Sequence, residues 1–222
     1  NMDQALERAV ANGVKTLVVQ PTHLMHGAEY DEMCEALDAY KDKIENIVIA
    51  EPLLGEVGND ATVINADKEA VAKAVVAAAE ADGNFESMAK AAEEGTALVL
   101  MGHGTAHVAK VTYSQMQTQM NELGYKNVFI GTVEGEPEET SCESVIEAVK
   151  AAGYTKVVLR PLMVVAGDHA NNDMAGADED SWKSMMEAAG LTTECQIAGL
   201  GRIDAVQALY VAHTQAAIDT LK

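Results

Sequence analysis

Six short apolar segments alternate along the chain with longer segments of helical periodicity, and this alternation restricts the possible folds more than any other feature. The longer segments are rich in Ala, Glu, Lys and Met and place apolar residues at helical spacing. Apolar strands that are separated by helices are typical of a parallel sheet covered on both faces. The sequence therefore predicts an α/β fold with strands at Thr16–Gln20, Asn46–Ala50, Ala97–Met101, Asn127–Ile130, Lys156–Arg160 and Glu194–Ala198.

The chain also repeats part of itself. The segment Ala5–Pro21 aligns without a gap with Val145–Pro161, and each copy reads helix, glycine, strand and proline. Gly13 and Gly153 stand between the helix and the strand, where a glycine that ends a helix belongs. These matched landmarks favour the duplication of one α/β unit.

The two copies differ in length and in what precedes them. Ile49-Ala50 matches Ile197-Ala198, and the separation between these two matched pairs is larger than the separation between Pro21 and Pro161. We therefore expect extra residues in the second copy, within the polar stretch Asn171–Asp180. A strand that begins at Ala97 and a helix precede the second copy, and the sequence before the first copy has no counterpart. We therefore expect the first copy to lack its N-terminal strand and helix, through a truncation before Asn1; a fold that needs no such unit is the alternative.

The chain is strongly acidic. Its 35 acidic and 15 basic residues give a formal net charge of −20. Nucleic acids and anionic membranes attract clustered Lys and Arg, and no such cluster occurs among the basic residues. We therefore predict a protein that binds neither nucleic acid nor membranes.

Cysteine content and terminal sequence indicate the compartment. The three cysteines are odd in number, widely spaced and without a CxxC motif, so neither a disulfide framework nor a zinc ribbon is predicted. No signal peptide begins at Asn1, and no apolar run approaches the roughly 20 residues of a membrane span. A cytoplasmic location is expected, with export as the alternative if a signal preceded Asn1.

Three chemically suitable side chains follow three consecutive strands of the second copy. His103 follows the strand that ends at Met101, Glu134 follows the next strand, and His169 follows the third. In open parallel sheets, ligands bind outside the carboxyl ends of the strands. We therefore expect the three side chains at one edge of the sheet.

Two imidazoles and a carboxylate form a plausible open site for a divalent first-row metal. Open coordination positions leave room for exchange, which the delivery of a metal requires. Gly102 and Gly104 flank His103 and allow tight turns and close backbone approach. A single loop histidine is more often a surface residue, so the prediction depends on the joint pattern.

Motifs of other enzyme classes are missing. His103 and His107 have the spacing of an HExxH zinc site, but the sequence reads HGTAH and lacks the glutamate. No glycine-rich phosphate loop follows, so neither ATP nor another nucleotide is predicted. Ser141 and Ser144 lack the context of a hydrolase nucleophile.

The first copy contributes a loop that should face the same cleft. Pro21–Gly27 contains His23 and His26 and corresponds to Pro161–Gly167 of the second copy. His23 has two alternative interpretations, as a residue that lines the ligand site or as a loop residue with no functional role. Met163 lies beyond a strand end, whereas most other methionines are interpreted as core residues.

At these motifs the sequence resembles the anaerobic cobalt chelatases of cobalamin synthesis, the CbiK type of sirohydrochlorin cobaltochelatase. The resemblance covers nearly the whole chain, and the stretch GDHANNDMAG is its most specific part. The chain lacks the opening strand and the Ser-Phe-Gly-Thr-Ser-like loop of that family. The matching segments are Pro21–Tyr30, Met101–His107, Gly131–Gly135, Pro161–Gly176 and Asp180–Lys183.

The resemblance implies a class II chelatase fold, in which two similar Rossmann-like lobes each contain a parallel sheet and enclose a cleft. We expect residues 1–94 to form the first lobe, completed by a C-terminal helix at residues 204–222. Residues 95–203 are expected to form the second lobe and to carry the metal site.

The resemblance also implies a reaction, in which Co²⁺ is a substrate and is inserted into sirohydrochlorin or a related tetrapyrrole. A homo-oligomer is also compatible with the resemblance. The alternatives are a non-catalytic carrier of metal or metallo-tetrapyrrole, and a chelatase for Fe²⁺ or Ni²⁺. Arg160 and Arg202 are expected near the carboxylates of the substrate.

The resemblance assigns the residues of this site. His103, Glu134 and His169 would bind the metal, with His103 catalytic and Glu134 acting as the third ligand or as a proton acceptor. The expected wall of the tetrapyrrole site consists of Gly102, Gly104, Thr105, Met163 and His23.

Overall fold

The computed structural model describes residues 1–222 and confirms the predicted α/β fold. All six predicted strands are present, and every strand pair is parallel. The strands are β1 Thr16–Val19, β2 Asn46–Ile49, β3 Thr96–Gly102, β4 Val128–Thr132, β5 Lys156–Pro161 and β6 Thr192–Cys195. The helices are α1 Met2–Ala11, α2 Ala28–Asp38, α3 Ala66–Gly83, α4 Met88–Glu93, α5 Val111–Glu122, α6 Cys142–Ala151, α7 Trp182–Ala188 and α8 Asp204–Asp219.

The strands form two separate sheets. β1 and β2 pair with each other, and the other four strands form a sheet in the order β4-β3-β5-β6. The chain leaves β3 for β4 on one side and then crosses to β5 on the other side. The junction between β3 and β5 is therefore a topological switch point, where open α/β sheets bind ligands.

The internal repeat is visible in the structure. Helices α1 and α6 begin at aligned positions of the two copies, Met2 and Cys142, and strands β1 and β5 begin at the aligned positions Thr16 and Lys156. Gly13 and Gly153 both have positive φ, at 69° and 86°, as expected of glycines that end helices. Each copy of the repeat thus forms the same helix, turn and strand.

The pairing of β1 with β2 and of β5 with β6 shows that the sequence alignment of the two copies is wrong at the second strand. Thr16 pairs with Asn46, and Lys156 pairs with Thr192, so the structural counterpart of Asn46 is Thr192 rather than the Glu194 that the sequence alignment gives. Strand β6 therefore begins earlier than predicted. The longer connection of the second copy lies between β5 and α7 and includes a π-helical turn, Ala170–Met174.

Helix α3 forms part of the core of the four-stranded sheet. Asn65 caps its N-terminus by accepting a hydrogen bond from the Lys68 N–H at 2.8 Å. Its buried apolar residues recur at helical spacing and pack in one cluster with Leu98 and Leu100 of β3. They are Val71, Ala72, Val75, Val76 and Ala79.

Helix α8 contacts α3 and both strands of the two-stranded sheet, and it therefore joins the two sheets. Helix α4 packs against β3, so the predicted first lobe, residues 1–94, includes two helices that pack on the larger sheet. The division of the chain into lobes stays a prediction. No helix has both the length and the apolar composition that crossing a membrane demands.

A buried lysine connects α3 to the loop that follows β2. The Lys68 ammonium is fully buried and donates hydrogen bonds to the carbonyls of Leu54 at 3.1 Å and Glu56 at 2.6 Å. The N–H of Leu54 in turn donates to the Leu24 carbonyl at 2.9 Å. Lys68 therefore fixes the backbone that supports the loop after β1.

Replacing Lys68 by Met should change how stability depends on pH. Burial lowers the pKa of the Lys68 ammonium from 10.5 to about 8. Between these values the unfolded chain binds more protons than the folded chain, so the free energy of unfolding should rise with pH. We expect Lys68→Met to lack this rise, a difference on the order of 3 kcal/mol at most. Urea unfolding of both proteins at pH 7.5 and 10.5 measures it, and equal rises in both would contradict the prediction.

Candidate active site

A cavity of about 450 Å³ lies between the two sheets. Its wall consists mainly of the loops that follow β1, β3, β4 and β5, and Tyr113 of α5 completes it. All four loops extend from the carboxyl ends of parallel strands, where the fold class predicts a ligand site. The volume is within the usual range for small-molecule sites.

The structure brings most of the predicted site residues to this cavity. His103 and Glu134 contribute to its wall, together with Gly104, Thr105, Met163 and His23. His169 is not part of the wall, but its ring packs edge to face against that of His103, with the centroids 4.7 Å apart. The first-copy loop and the second-copy loops therefore face one space.

Gly102 has a different place from the one predicted. It does not contribute to the cavity wall and is buried against the ring of Tyr113, where an added Cβ would lie 2.4 Å from the ring. A side chain at this position would displace Tyr113. Gly102 therefore permits close packing of β3 on α5, and its contact with a ligand stays a prediction.

The ring of His103 is held in one tautomer. Its Nδ1 lies 2.8 Å from the carbonyl oxygen of Gly104, and a carbonyl only accepts hydrogen bonds. Nδ1 must therefore carry the proton and donate it. The neutral ring then has its lone pair on Nε2, the nitrogen that is free to bind a metal.

The ring of His169 is held in the same tautomer by a different acceptor. Its Nδ1 lies 2.6 Å from Oδ2 of Asp173, four residues later in the chain. A carboxylate accepts only, so Nδ1 again carries the proton. Two neighbouring imidazoles therefore both leave Nε2 unprotonated in their neutral forms.

Glu134 is placed by a backbone hydrogen bond that continues the pairing of β3 with β4. Its N–H donates to the His103 carbonyl at 2.9 Å. Gly104, at φ 93°, packs against it, and an added Cβ would lie 2.9 Å from the Glu134 Cβ. Glu134 makes no ion pair, in contrast to Glu136, which bonds Lys110 at 2.7 Å.

The three predicted ligands do not form a closed metal site as they stand. No group of three or more His, Cys, Asp or Glu side chains is arranged to hold a metal ion. His103 and His169 are in contact, and Glu134 shares the cavity with His103. Coordination by all three would require rotation of side chains that loops carry.

The other histidine of the HGTAH segment has a structural role. Nδ1 of His107 accepts from the Ala109 N–H at 3.1 Å and caps a 3₁₀ turn. Its Nε2 lies 3.1 Å from Oδ2 of Asp31 on α2. Both nitrogens of His107 are therefore occupied, and the contact of Nε2 joins the loop after β3 to α2.

Of the two arginines that were expected near substrate carboxylates, Arg160 does not fit. Its guanidinium is buried, 2% exposed, and donates to Asp82 at 2.6 Å and Gln196 at 2.8 Å. Arg202 is exposed and has no ion pair, on a 3₁₀ turn that bonds the cavity-wall residue Val164. Of the two arginines, only Arg202 therefore has a guanidinium that is free to pair with a charged ligand.

Tyr113 and Asp173 are two of the site residues that were not predicted. The hydroxyl of Tyr113 accepts a hydrogen bond from the Gly104 N–H at 3.0 Å, and burial raises the pKa of this hydroxyl. Asp173, which holds His169, is the other. Tyr113 has the spacing of a core residue with Met116 and Met120, so no sequence signal distinguishes its hydroxyl from ordinary packing.

Comparisons with known proteins agree with this geometry. The model of the family described as cobalt chelatase (CbiK) matches residues 1–219. The chain is 29% identical to the sirohydrochlorin cobaltochelatase of Salmonella typhimurium, over 97% of the chain and 74% of that protein. It is also 29% identical to the sirohydrochlorin cobaltochelatase CbiKC of Nitratidesulfovibrio vulgaris, over 98% of the chain and 71% of that protein.

Two solved structures share the fold. SirB of Bacillus subtilis with Fe³⁺ superposes with a TM-score of 0.60 at 16% identity, over 97% of this chain and 76% of that one. The sirohydrochlorin chelatase SirB of Bacillus subtilis subspecies spizizenii, in complex with cobalt, gives 0.53 at 16% identity, over 97% and 74%. The two similarities support the two-lobe chelatase fold.

Replacing Gly104 by Ala should impair metal binding beyond its effect on stability. The positive φ costs an alanine about 1 kcal/mol, and the added methyl group would contact Glu134 and Thr132. Gly124→Ala is the matched control, since Gly124 also has a positive φ, 81°, but has no atom within 4 Å of an added Cβ. We expect Gly104→Ala to lose more unfolding free energy than Gly124→Ala because of these contacts, and only Gly104→Ala should weaken Co²⁺ binding by the folded protein in titration calorimetry. Equal Co²⁺ affinity of the two variants would be inconsistent with a role for Glu134.

Proposed function

The chain belongs to the cobalt chelatase (CbiK) family, and from this premise we propose that it inserts Co²⁺ into sirohydrochlorin. The observation that carries the proposal is the pair of imidazoles at the cavity. The rings of His103 and His169 lie 4.7 Å apart, and both have Nδ1 bound to an acceptor. Both therefore offer Nε2 as a ligand atom.

The proposed ligands suit the transfer of a first-row divalent metal. Neutral imidazole nitrogens bind such ions well, and a carboxylate adds a negative charge. We propose His103, His169 and Glu134 as the ligands of the incoming Co²⁺. Three protein ligands leave coordination positions open, which the pyrrole nitrogens need in order to take over the metal. Residues 95–203 are the proposed metal-carrying lobe.

Proton release is the second part of the proposed reaction. The two pyrrole N–H groups of the macrocycle lose their protons as two of its nitrogens bind Co²⁺, so two protons leave for each metal inserted. Glu134 contributes an unpaired carboxylate to the cavity, and we propose that it accepts one proton while Nε2 of His103, free once the metal has left it, accepts the other. The step needs no change of oxidation state, and the proposal keeps the prediction that no ATP is consumed.

The substrate binds in the cavity between the two sheets in this proposal. His23 and Met163 come from corresponding positions of the two copies, and both contribute to the wall. Sirohydrochlorin carries many carboxylates, and Arg202 is the basic residue near the wall that has no acidic partner. We propose that Arg202 binds one of these carboxylates.

Replacing His103 by Ala should abolish metal insertion and leave the fold intact. The side chain is exposed, so its loss costs little packing, whereas the metal loses one of its two imidazole ligands. The absorbance change of sirohydrochlorin with Co²⁺ measures the rate, and circular dichroism measures the fold. Insertion at the wild-type rate by purified His103→Ala would show the assignment to be wrong.

His107→Gln is the control within the same loop. Both nitrogens of His107 are occupied, so this variant should retain insertion. If both variants lose insertion and keep the fold, His103 and His107 would be the metal-binding pair instead of His103 and His169. The wild-type protein must turn over more than once, since retention of one equivalent of product would contradict catalysis.

Replacing Arg202 by Gln should weaken substrate binding more than it slows the reaction. Loss of a charge-assisted contact to a carboxylate should raise KM for sirohydrochlorin about tenfold, with little effect on kcat. Arg8→Gln is the matched control, because Arg8 lies on α1 and makes no contact with the cavity wall. Steady-state kinetics at low and high salt measure both constants. Equal KM values for the two variants would contradict a role for Arg202.

A further inference from the structure

Asp173 makes one contact that the proposed mechanism leaves without an explanation. Its Oδ2 lies 2.6 Å from Nδ1 of His169, and it has no other side-chain hydrogen bond or ion pair. We propose that Asp173 is a positioning residue for metal transfer, which holds His169 in the tautomer that presents Nε2 to the ion. This inference rests on the proposed function, because it takes His169 to be a ligand.

The local backbone fixes the relative positions of the two side chains. His169 and Asp173 are four residues apart, and the segment between them winds into the π-helical turn Ala170–Met174. Ala170 and Met174 are fully buried in the core beneath Trp182 and anchor this turn. The turn is thus anchored on its buried side, and it places the two side chains on its exposed side within hydrogen-bond distance.

A carboxylate does more here than a neutral acceptor would. A hydrogen bond from the far nitrogen of a ligating histidine to a carboxylate fixes the ring and raises its basicity. His103 has only the Gly104 carbonyl in this position, at 2.8 Å. Asp173 should therefore make His169 the stronger of the two imidazole ligands.

A contribution to stability does not explain the pair. The side chains of His169 and Asp173 are 42% and 48% exposed. Ion pairs at such exposure contribute little to folding, because water screens them. The contact should therefore be detectable in ligand properties and hardly at all in thermal unfolding.

Two variants of Asp173 test the proposal. Asp173→Ala removes the acceptor, and Asp173→Asn keeps its shape but can turn an N–H donor toward Nδ1, which favours the tautomer protonated at Nε2. Long-range ¹H–¹⁵N spectra of the metal-free protein report the tautomer of His169. We expect the Nδ1-protonated form in the wild type and its loss in both variants.

Cobalt binding gives the second readout. Isothermal titration with Co²⁺ alone should show a 10- to 100-fold loss of affinity in Asp173→Ala and in Asp173→Asn. Asp178→Asn is the matched control, since it removes the same charge from an exposed residue in the same connection. Asp178→Asn should keep both the tautomer and the affinity, and all three variants should unfold at the wild-type temperature.

The outcomes separate this inference from the proposed function. An unchanged His169 tautomer or an unchanged Co²⁺ affinity in Asp173→Ala would overturn the role of Asp173. A matching loss of affinity in Asp178→Asn would also overturn it, because a general charge effect would then suffice. A wild-type protein that binds Co²⁺ but fails to metallate sirohydrochlorin would instead refute the proposed function, and the affinity loss in the Asp173 variants would still support their effect on His169.

Discussion

The parallel pairing of β3 with β4 on one side and β5 on the other is the constraint on which the site depends. Gly102 pairs with Thr132, and Met101 pairs with Pro161, so three strands end at the same level of the sheet. The hydrogen bond from the Glu134 N–H to the His103 carbonyl extends this ladder by one step beyond the strands. Because the loops after these strands begin at the same level of the sheet, they bring imidazole and carboxylate groups to a common cavity. The wall opposite comes from the loop after β1, which α3 supports through Lys68 and the loop after β2.

Much of this arrangement could be predicted because it follows from local rules. Apolar runs between helices define the parallel strands, and ligands bind at the carboxyl ends of such strands. These two rules together select His103 and Glu134, and the structure brings both to one cavity. The repeat could be predicted for a similar reason, since Gly13 and Gly153 both require a positive φ at the same point of a helix-to-strand turn.

The residues that sequence reasoning misplaced depend on partners that are distant in the chain. Arg160 ends an apolar strand and looks available to a ligand, but Asp82 and Gln196, 78 and 36 residues away, pair with it in the interior. Asp173 lies in a polar stretch with no apolar periodicity, so nothing in the sequence indicates that it is one helical turn from His169. Only the winding of Ala170–Met174 makes their spacing meaningful. Tertiary packing determines which distant residues pair and how a polar segment winds. The pattern of apolar residues in the sequence does not predict this packing.

The acidity of the protein and the anionic substrate are compatible if the metal arrives first. Glu29 and Glu134 contribute carboxylates to the cavity and have no basic partner, so their field attracts a divalent cation and opposes a polycarboxylate. A bound Co²⁺ would offset two negative charges within the cavity, which lowers the cost of bringing an anionic macrocycle next to them. In the proposed reaction, insertion replaces two protons of the macrocycle by the metal, and the Glu134 carboxylate that has just lost its cation would accept one of them. Under this proposal, the negative charge that attracts the metal would become available as a proton acceptor when the metal leaves.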